Sequence, residues 1–247
     1  MKSIILIAVV ICLSCAILGC GGYASPNNSQ TSTSLSGNWQ FTYVSSKGGS
    51  ATVSGTLTQT GSSFSGTVTI TNSCAPSGTI SGTLSGYALT GKLTETSPET
   101  ISVTGTVAST YNSANGTYQV MTASGICATA SGDSGTWTGT RMSAGGYYIG
   151  PMQSADRLPM QLALNLMDEA GQVSGTATFT NSACLHSMNV AGTLSGMNLE
   201  LQGEGGTDGS IVLSGTTDKE GKTLTLNSTI SGACQAESGS GSLTKVQ

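Results

Sequence analysis

The sequence has few of the side chains that carry most enzyme chemistry. Only 8% of its 247 residues are charged, 5% are aromatic, and His186 is the single histidine. A multi-histidine metal site within one chain is therefore excluded, and few groups are available for acid–base catalysis. The eight lysines and arginines form no basic stripe, which argues against nucleic acid as a partner.

The motifs that suggest catalysis are incomplete. The stretch Gly132-Asp133-Ser134-Gly135 resembles the nucleophile motif of trypsin-like proteases, but no histidine precedes Ser134, so we interpret it as a turn before a strand. Glu95 and Glu99 flank a Ser-Pro pair, and we expect both to be solvated turn carboxylates, not a glycosidase pair. The sequence therefore predicts a protein that is not an enzyme and that needs no metal and no cofactor.

The amino-terminal end carries the most specific signal. Lys2 precedes an apolar run over residues 4–18, which is shorter than the roughly 20 residues of a membrane-spanning helix, and this pattern indicates a secretory signal. The run closes on Ile17-Leu18-Gly19-Cys20, which resembles the bacterial lipobox. We expect cleavage before Cys20 and attachment of a diacylglycerol to its thiol, which would hold the protein stably on a membrane.

Two alternatives to this processing stay open. The apolar run can be an uncleaved anchor, or cleavage can occur before Cys15, which follows Ser14 but leaves a shorter apolar core. Gly21 stands after Cys20 in place of the aspartate that favours inner-membrane retention in enteric bacteria. We therefore expect the protein in the cell envelope, on the outer membrane, at its periplasmic or surface face.

Most of the chain is a duplication. Residues 65–73 match residues 174–182 at an offset of 109, and the same offset places Trp39 on Tyr148. Constant spacing over a whole repeat indicates duplication of one structural unit. The predicted organisation is a signal peptide (1–19), a lipidated cysteine with a flexible tether (20–34), repeat one (35–143) and repeat two (144–247).

Each repeat alternates larger apolar residues and glycine with serine and threonine. In residues 64–70 and 101–107, Phe, Val, Ile and Gly share one face and Ser and Thr the other, which is the period of half-buried strands. Turn signals, among them residues 113–116 and 218–221, join about eight strands per repeat. Recurrent inward glycines favour strong coiling. The fold class is therefore all-β, with two tandem antiparallel up-and-down β-barrels; two β-sandwiches are the alternative.

A family resemblance supports the barrel. Ser36-Gly37-Asn38-Trp39 resembles the Gly-x-Trp opening of the calycin superfamily, the lipocalins and avidins. The close of repeat one resembles their last strand, in which an arginine, here Arg141, covers the opening tryptophan. Tyr148 and Lys245 take these places in repeat two. The whole chain also resembles Ser/Thr/Gly-rich envelope lipoproteins of environmental bacteria, a group without an assigned activity.

Four cysteines are left after the signal segment and Cys20 are set aside. The duplication selects the pairing that repeats within each half, Cys74 with Cys127 and Cys184 with Cys234. An exported protein keeps such bonds. In an up-and-down barrel, both cysteines of a pair lie at the end opposite the tether, so the bond must run across the mouth.

Two functions compete at this point. The first is a non-catalytic binding module for a small apolar molecule, a glycan or an envelope protein, with the ring side chains of Trp39, Tyr118, Trp137 and Tyr148 as candidate contacts. The second is a structural or adhesive envelope protein whose rings fill a narrow core. We expect filled cores capped by the disulfides. A cavity of roughly 300 Å³ or more would favour binding.

Overall fold

The structure, a computed structural model, describes residues 33–97, 99–154, 160–182, 185–205, 209–232 and 237–246. Cys20, the predicted signal peptide, Cys184 and Cys234 lie outside these residues. No helix in the described part of the chain is long and apolar enough to span a bilayer.

The first half of the chain forms a closed barrel of eight antiparallel strands, in which each strand pairs with the next and the last pairs with the first. We call it barrel 1. Its strands are β1 (Gly37–Ser45), β2 (Ser50–Thr60), β3 (Ser63–Thr71), β4 (Ser77–Ser85), β5 (Ala88–Glu95), β6 (Glu99–Val107), β7 (Ser113–Ala123) and β8 (Ser134–Met142).

The second half repeats this topology as barrel 2, in which the last strand closes on the first. Its strands are β9 (Gly146–Ser154), β10 (Met160–Glu169), β11 (Gln172–Thr180), β12 (Ser187–Ser195), β13 (Asn198–Glu204), β14 (Ser210–Thr217), β15 (Thr223–Ser231) and β16 (Glu237–Lys245). The prediction of two up-and-down barrels is confirmed, and the alternative of two sandwiches is wrong because each sheet closes on itself.

The alternation of the sequence sets which face of each strand points inward. In β3, Phe64, Val68 and Ile70 are buried while the Ser and Thr residues between them are exposed. Successive side chains of a strand point to opposite faces, so the period-two alternation places the apolar residues on the core face and the polar residues on the solvent face.

Inward glycines make room for the rings of barrel 1. A side chain at Gly105 would place its Cβ 2.6 Å from the ring of Trp137, and one at Gly82 would place it 2.6 Å from the ring of Phe64. A ring over a glycine lets a narrow barrel hold large side chains in the middle. The space left there, beside Phe41 and Trp137, is only about 10 Å³.

The two barrels close in the same way. Gly37, with φ of +145°, lies against the guanidinium of Arg141, which stands opposite Trp39 in the β1–β8 ladder. In barrel 2, Gly146, with φ of +140°, lies against Lys245, which stands opposite Tyr148. Lys245 Nζ is 5.7 Å from the centre of the Tyr148 ring and donates to Gly145 O at 2.7 Å. Arg141 and Lys245 thus occupy corresponding positions beside the opening ring of each barrel, and in barrel 2 the lysine lies over the ring.

One predicted turn is wrong. Residues 113–116 begin β7 instead of preceding it, and the chain turns over residues 108–112, where Tyr111 has a positive φ of 54°. The Asn-Gly pair looks like a hairpin turn, but Gly116 lies opposite Gly105 in the β6–β7 ladder. A Cβ at Gly116 would be 2.6 Å from Gly105 Cα, so this glycine serves close packing.

The barrels meet at the ends that face the linker, residues 143–145. Ala144 is fully buried and packs, with Met142, in the core of barrel 2, and its N–H donates to Asp168 Oδ2 at 2.9 Å. Asn38 of barrel 1 is 1% exposed. Its amide donates to Gly196 O at 2.9 Å and accepts from Gly196 N at 3.1 Å. These contacts hold the linker in place and join the two barrels.

Candidate functional site

A disulfide crosses the end of barrel 1 that lies opposite the linker. Cys74, in the β3–β4 connection, is bonded to Cys127, in a short 3₁₀ helix at Gly125–Ala130 between β7 and β8. Cys127 is completely buried. The predicted pairing of Cys74 with Cys127 is confirmed, and the bond runs across the mouth as expected. We call this end, with the β1–β2, β3–β4, β5–β6 and β7–β8 connections, the mouth of barrel 1.

The mouth is not sealed by the disulfide. A cavity of about 400 Å³ opens to solvent there, and it lies between the β7–β8 connection and the interior of the barrel. Apolar side chains from the strands form its floor: Val53, Ile70, Leu93, Ile101 and Val120. The expectation that barrel 1 is filled therefore holds for the middle of the barrel, where only about 10 Å³ is left, but is wrong for the mouth.

Two glutamates line this cavity. Glu95 ends β5 and Glu99 begins β6, and both point inward, with 6% and 3% of their surface exposed. The expectation that they are solvated turn carboxylates is wrong. The reason is strand phase: Leu89, Gly91 and Leu93 face inward on β5, and Glu95 is the next residue of that series.

Burial places both carboxyl groups in an environment that disfavours charge. Burial, with the neighbouring charge of Glu99, raises the pKa of Glu95 to about 7, although a hydrogen bond with Ser73 opposes the shift. Burial, with the charge of Asp133, also raises the pKa of Glu99. Glu99 Oε2 lies 3.2 Å from Cys74 Sγ. A disulfide sulfur can only accept a hydrogen bond, so this contact favours the protonated form of Glu99.

One carboxyl oxygen of Glu95 has no hydrogen-bond partner among the described residues. Glu95 Oε2 is buried, and no described residue donates a hydrogen bond to it. A buried polar atom without a partner costs free energy, of the order of 1–3 kcal/mol, so such atoms in a folded protein call for an explanation.

Two tyrosines and an aspartate complete the polar wall. The rings of Tyr43 and Tyr118 meet edge to face with centres 5.2 Å apart. Asp133 accepts from the Tyr118 hydroxyl at 3.0 Å and from Ser45 Oγ at 2.9 Å. Burial, then the hydrogen bond and charge of Asp133, raises the pKa of Tyr118 to about 12, and burial also raises that of Tyr43. Both hydroxyls are therefore neutral at physiological pH.

The other ring side chains singled out from the sequence lie away from the cavity. Trp39 is fully buried and donates from Nε1 to Leu35 O at 2.8 Å. Trp137 donates to Thr104 O and Thr117 O, at 3.2 and 3.1 Å. Tyr148 is fully buried in barrel 2 and donates to Gly221 O at 2.8 Å. Of the four candidates, only Tyr118 lines the cavity; the other three fill cores.

The serine of the protease-like motif and the single histidine are not brought together. Ser134 starts β8 directly after Asp133, as the predicted turn requires, and is exposed. His186 is exposed in the β11–β12 connection of the other barrel. The cluster at the mouth can hold a proton or neutralise a cation.

The sulfur and carboxylate oxygen atoms at the mouth lie close enough together to be considered as metal ligands. The sulfurs of Cys74 and Cys127 and one carboxylate oxygen each of Glu95 and Glu99 all lie within 4.8 Å of one another. Zinc takes thiolates as ligands, but both sulfurs here are joined in the disulfide. Only the two carboxylates are then left to meet a positive charge.

The fold thus defines a protein of two closed eight-stranded antiparallel barrels, with an acidic cavity at the mouth of the first. No protein-family model matches the chain, and no curated protein is similar to it. One similar crystal structure, from Bacteroides fragilis, is of a "putative outer membrane protein". It is 11% identical, with 86% of this chain and 98% of that chain covered and a TM-score of 0.25.

Proposed function

We propose that this protein is a lipid-anchored lipoprotein of the cell envelope and a non-catalytic binding module that takes a small molecule into the mouth of barrel 1. The observation that carries the proposal is the open cavity of about 400 Å³. Ligand sites are typically clefts of roughly 300–1,000 Å³ with apolar walls and a few converging polar groups. The apolar floor and the polar wall of Glu95, Glu99 and Tyr118 have this composition.

Two features support the envelope part of the proposal. The lipobox-like sequence ending at Cys20 predicts a lipid anchor. The Cys74–Cys127 disulfide fits an exported protein, because disulfides persist in oxidising compartments and are rare in the cytosol.

The anchor is tested by replacing its cysteine. Cys20→Ser should move the protein from the membrane fraction to the soluble fraction and abolish labelling by a radioactive fatty acid. Cys15→Ser, the matched control at the alternative cleavage site, should leave both unchanged. Retention of the Cys20→Ser protein on membranes would contradict the anchor.

The binding role is tested by filling the cavity. Ala51 is half-buried on β2 and lines the cavity, so a tryptophan there should occupy it. Native mass spectrometry of the protein extracted from its own host should show a retained small molecule, which Ala51→Trp should eliminate. Ala88→Trp, on an exposed position of β5 at the other end of the barrel, should retain it.

A structural or adhesive role is the second candidate. It is favoured by the filled middle of barrel 1 and by the core of barrel 2, where eleven buried leucines pack together. This role predicts that host-extracted protein carries no small molecule and that Ala51→Trp and Ala88→Trp behave alike.

A further inference from the structure

The buried oxygen of Glu95 indicates what kind of ligand the cavity takes. Glu95 is 6% exposed and lines the cavity, and its Oε2 finds no donor among the described residues. The missing partner is therefore a donor that the folded chain does not supply. Oε2 itself is shielded, so a ligand in the cavity meets the Glu95 carboxyl group at the cavity wall and supplies the donor when that group turns toward it.

The charges around the cavity select a positive donor. Glu99 and Asp133 line the same wall as Glu95, and the hydroxyls of Tyr43 and Tyr118 carry no charge at neutral pH. The one lysine at the cavity, Lys47, is exposed and donates to Ser131 O at 3.3 Å. Three carboxyl groups thus face a space with a single cation at its rim.

The apolar floor argues against a bare ion as the occupant. A metal ion with its ligands needs only a small polar cage, whereas this cavity has about 400 Å³ and a floor of Val53, Ile70 and Ile101. An occupant that matches both parts has a positively charged donor at one end and an apolar body at the other.

We propose that the mouth of barrel 1 binds small molecules that carry a protonated amine on an apolar body, with the ammonium group against Glu95 and Glu99 and the body on the apolar floor. This inference rests on the proposed binding role and names its ligand class. An ammonium group brings three donors and a charge, so it satisfies Glu95 Oε2 and stabilises the ionised carboxylates.

Binding should release a proton. Burial raises the pKa of both carboxyl groups, so the empty site holds at least part of a proton near neutral pH. An ammonium beside them favours their ionised forms. The Lys47 ammonium at the rim is present in both states and does not account for the release.

The experiment is calorimetric titration of the detergent-solubilised full chain at pH 8 with matched pairs of probes: 2-phenylethylamine against 2-phenylethanol, and hexylamine against 1-hexanol. We expect each amine to bind at least tenfold more tightly than its alcohol. Glu95→Gln should weaken amine binding at least tenfold without changing alcohol binding. Glu204→Gln, an exposed position at the end of β13 in barrel 2, should change neither.

The possible results separate this inference from the binding role itself. Equal binding of amines and alcohols, blocked by Ala51→Trp, would overturn the amine preference and leave the binding role standing. Calcium binding that depends on Glu95, with no amine binding, would replace the ammonium with a metal. If no probe binds and the host-extracted protein carries no small molecule, both proposals are wrong.

Discussion

The two barrels share a topology but differ at their mouths. In barrel 1, Glu95 and Glu99 face inward at the ends of β5 and β6. An offset of 110 places Gly205 and Gly209 at the matching positions of barrel 2, where Gly205 N donates to Gly209 O at 2.8 Å. The pair is therefore not required by the fold, because barrel 2 closes with glycines in these places.

The cores of the two barrels also differ in their aromatic content. Six ring side chains lie in the described core of barrel 1, against two in that of barrel 2, which is dominated by leucine. Tyr43 and Tyr118 of the cavity correspond to Met152 and Ser228. One copy of the duplication thus packs as an aliphatic core, while the other carries polar and aromatic groups at its open end, as a binding site requires.

The largest expected effect concerns the disulfide. Cys74 and Cys127 are 53 residues apart, and closing a loop of this length stabilises a fold by about 4 kcal/mol through the lost entropy of the unfolded chain. The double variant Cys74→Ala/Cys127→Ala should lose about that much free energy of unfolding in denaturant titration.

Barrel 2 provides the comparison for this measurement. The predicted bond between Cys184 and Cys234 closes a loop of similar length, so Cys184→Ala/Cys234→Ala should cost a similar amount. Peptide mapping of the non-reduced protein gives the pairing directly. Free thiols at both positions, or a bond between the two halves, would contradict the duplicated pairing.

The next effect is a pH dependence confined to barrel 1. Between the ordinary glutamate pKa near 4.5 and a pKa of about 7, folded Glu95 keeps a proton that the unfolded chain has lost. The free energy of unfolding should therefore fall as pH rises through this window, by up to about 3 kcal/mol. Glu95→Gln should reduce the dependence to the part that Glu99 contributes, and Glu204→Gln should leave it unchanged. An unchanged slope in Glu95→Gln would show that another group is responsible.

The smallest effect concerns the contact between the barrels. Asn38→Ala removes both hydrogen bonds to Gly196 and leaves the N–H and C=O of Gly196 without partners, at a cost of about 2 kcal/mol. Asn115→Ala, on the exposed face of β7, is the control and should cost little.

Calorimetry shows whether this contact couples the barrels. We expect residues 34–143 and 144–247 each to give a cooperative thermal transition when expressed separately, because each barrel has its own core. In the full chain, Asn38→Ala should separate the two transitions. If neither half folds alone, the barrels depend on each other through this junction.

The fold could be predicted from the sequence because two local signals agree. Period-two alternation in segments such as residues 64–70 determines the inward face, and the duplication selects Cys74–Cys127 over other pairings. The turn at residues 113–116 was wrong because an Asn-Gly pair fits both a hairpin turn and a close contact between strands, and only the partner strand distinguishes them.

The site was harder to predict. Glu95 and Glu99 beside a proline look like turn residues, although the phase of Leu89, Gly91 and Leu93 already points Glu95 inward. The cavity itself has no sequence signal. Its volume depends on the position that the Cys127 segment takes across the mouth, and that position is set by the folded barrel and not by a local sequence pattern.

The most direct test of the account is to locate a bound amine by nuclear magnetic resonance. Titration of the isotope-labelled full chain with 2-phenylethylamine should shift the amide signals of residues around the cavity, such as Tyr118 and Ile101. The corresponding residues of barrel 2, Ser228 and Ile211, should not shift, nor should Tyr118 in Ala51→Trp. Equal shifts in both barrels, or shifts only on the outer strand faces, would contradict the claim that the mouth of barrel 1 is the binding site.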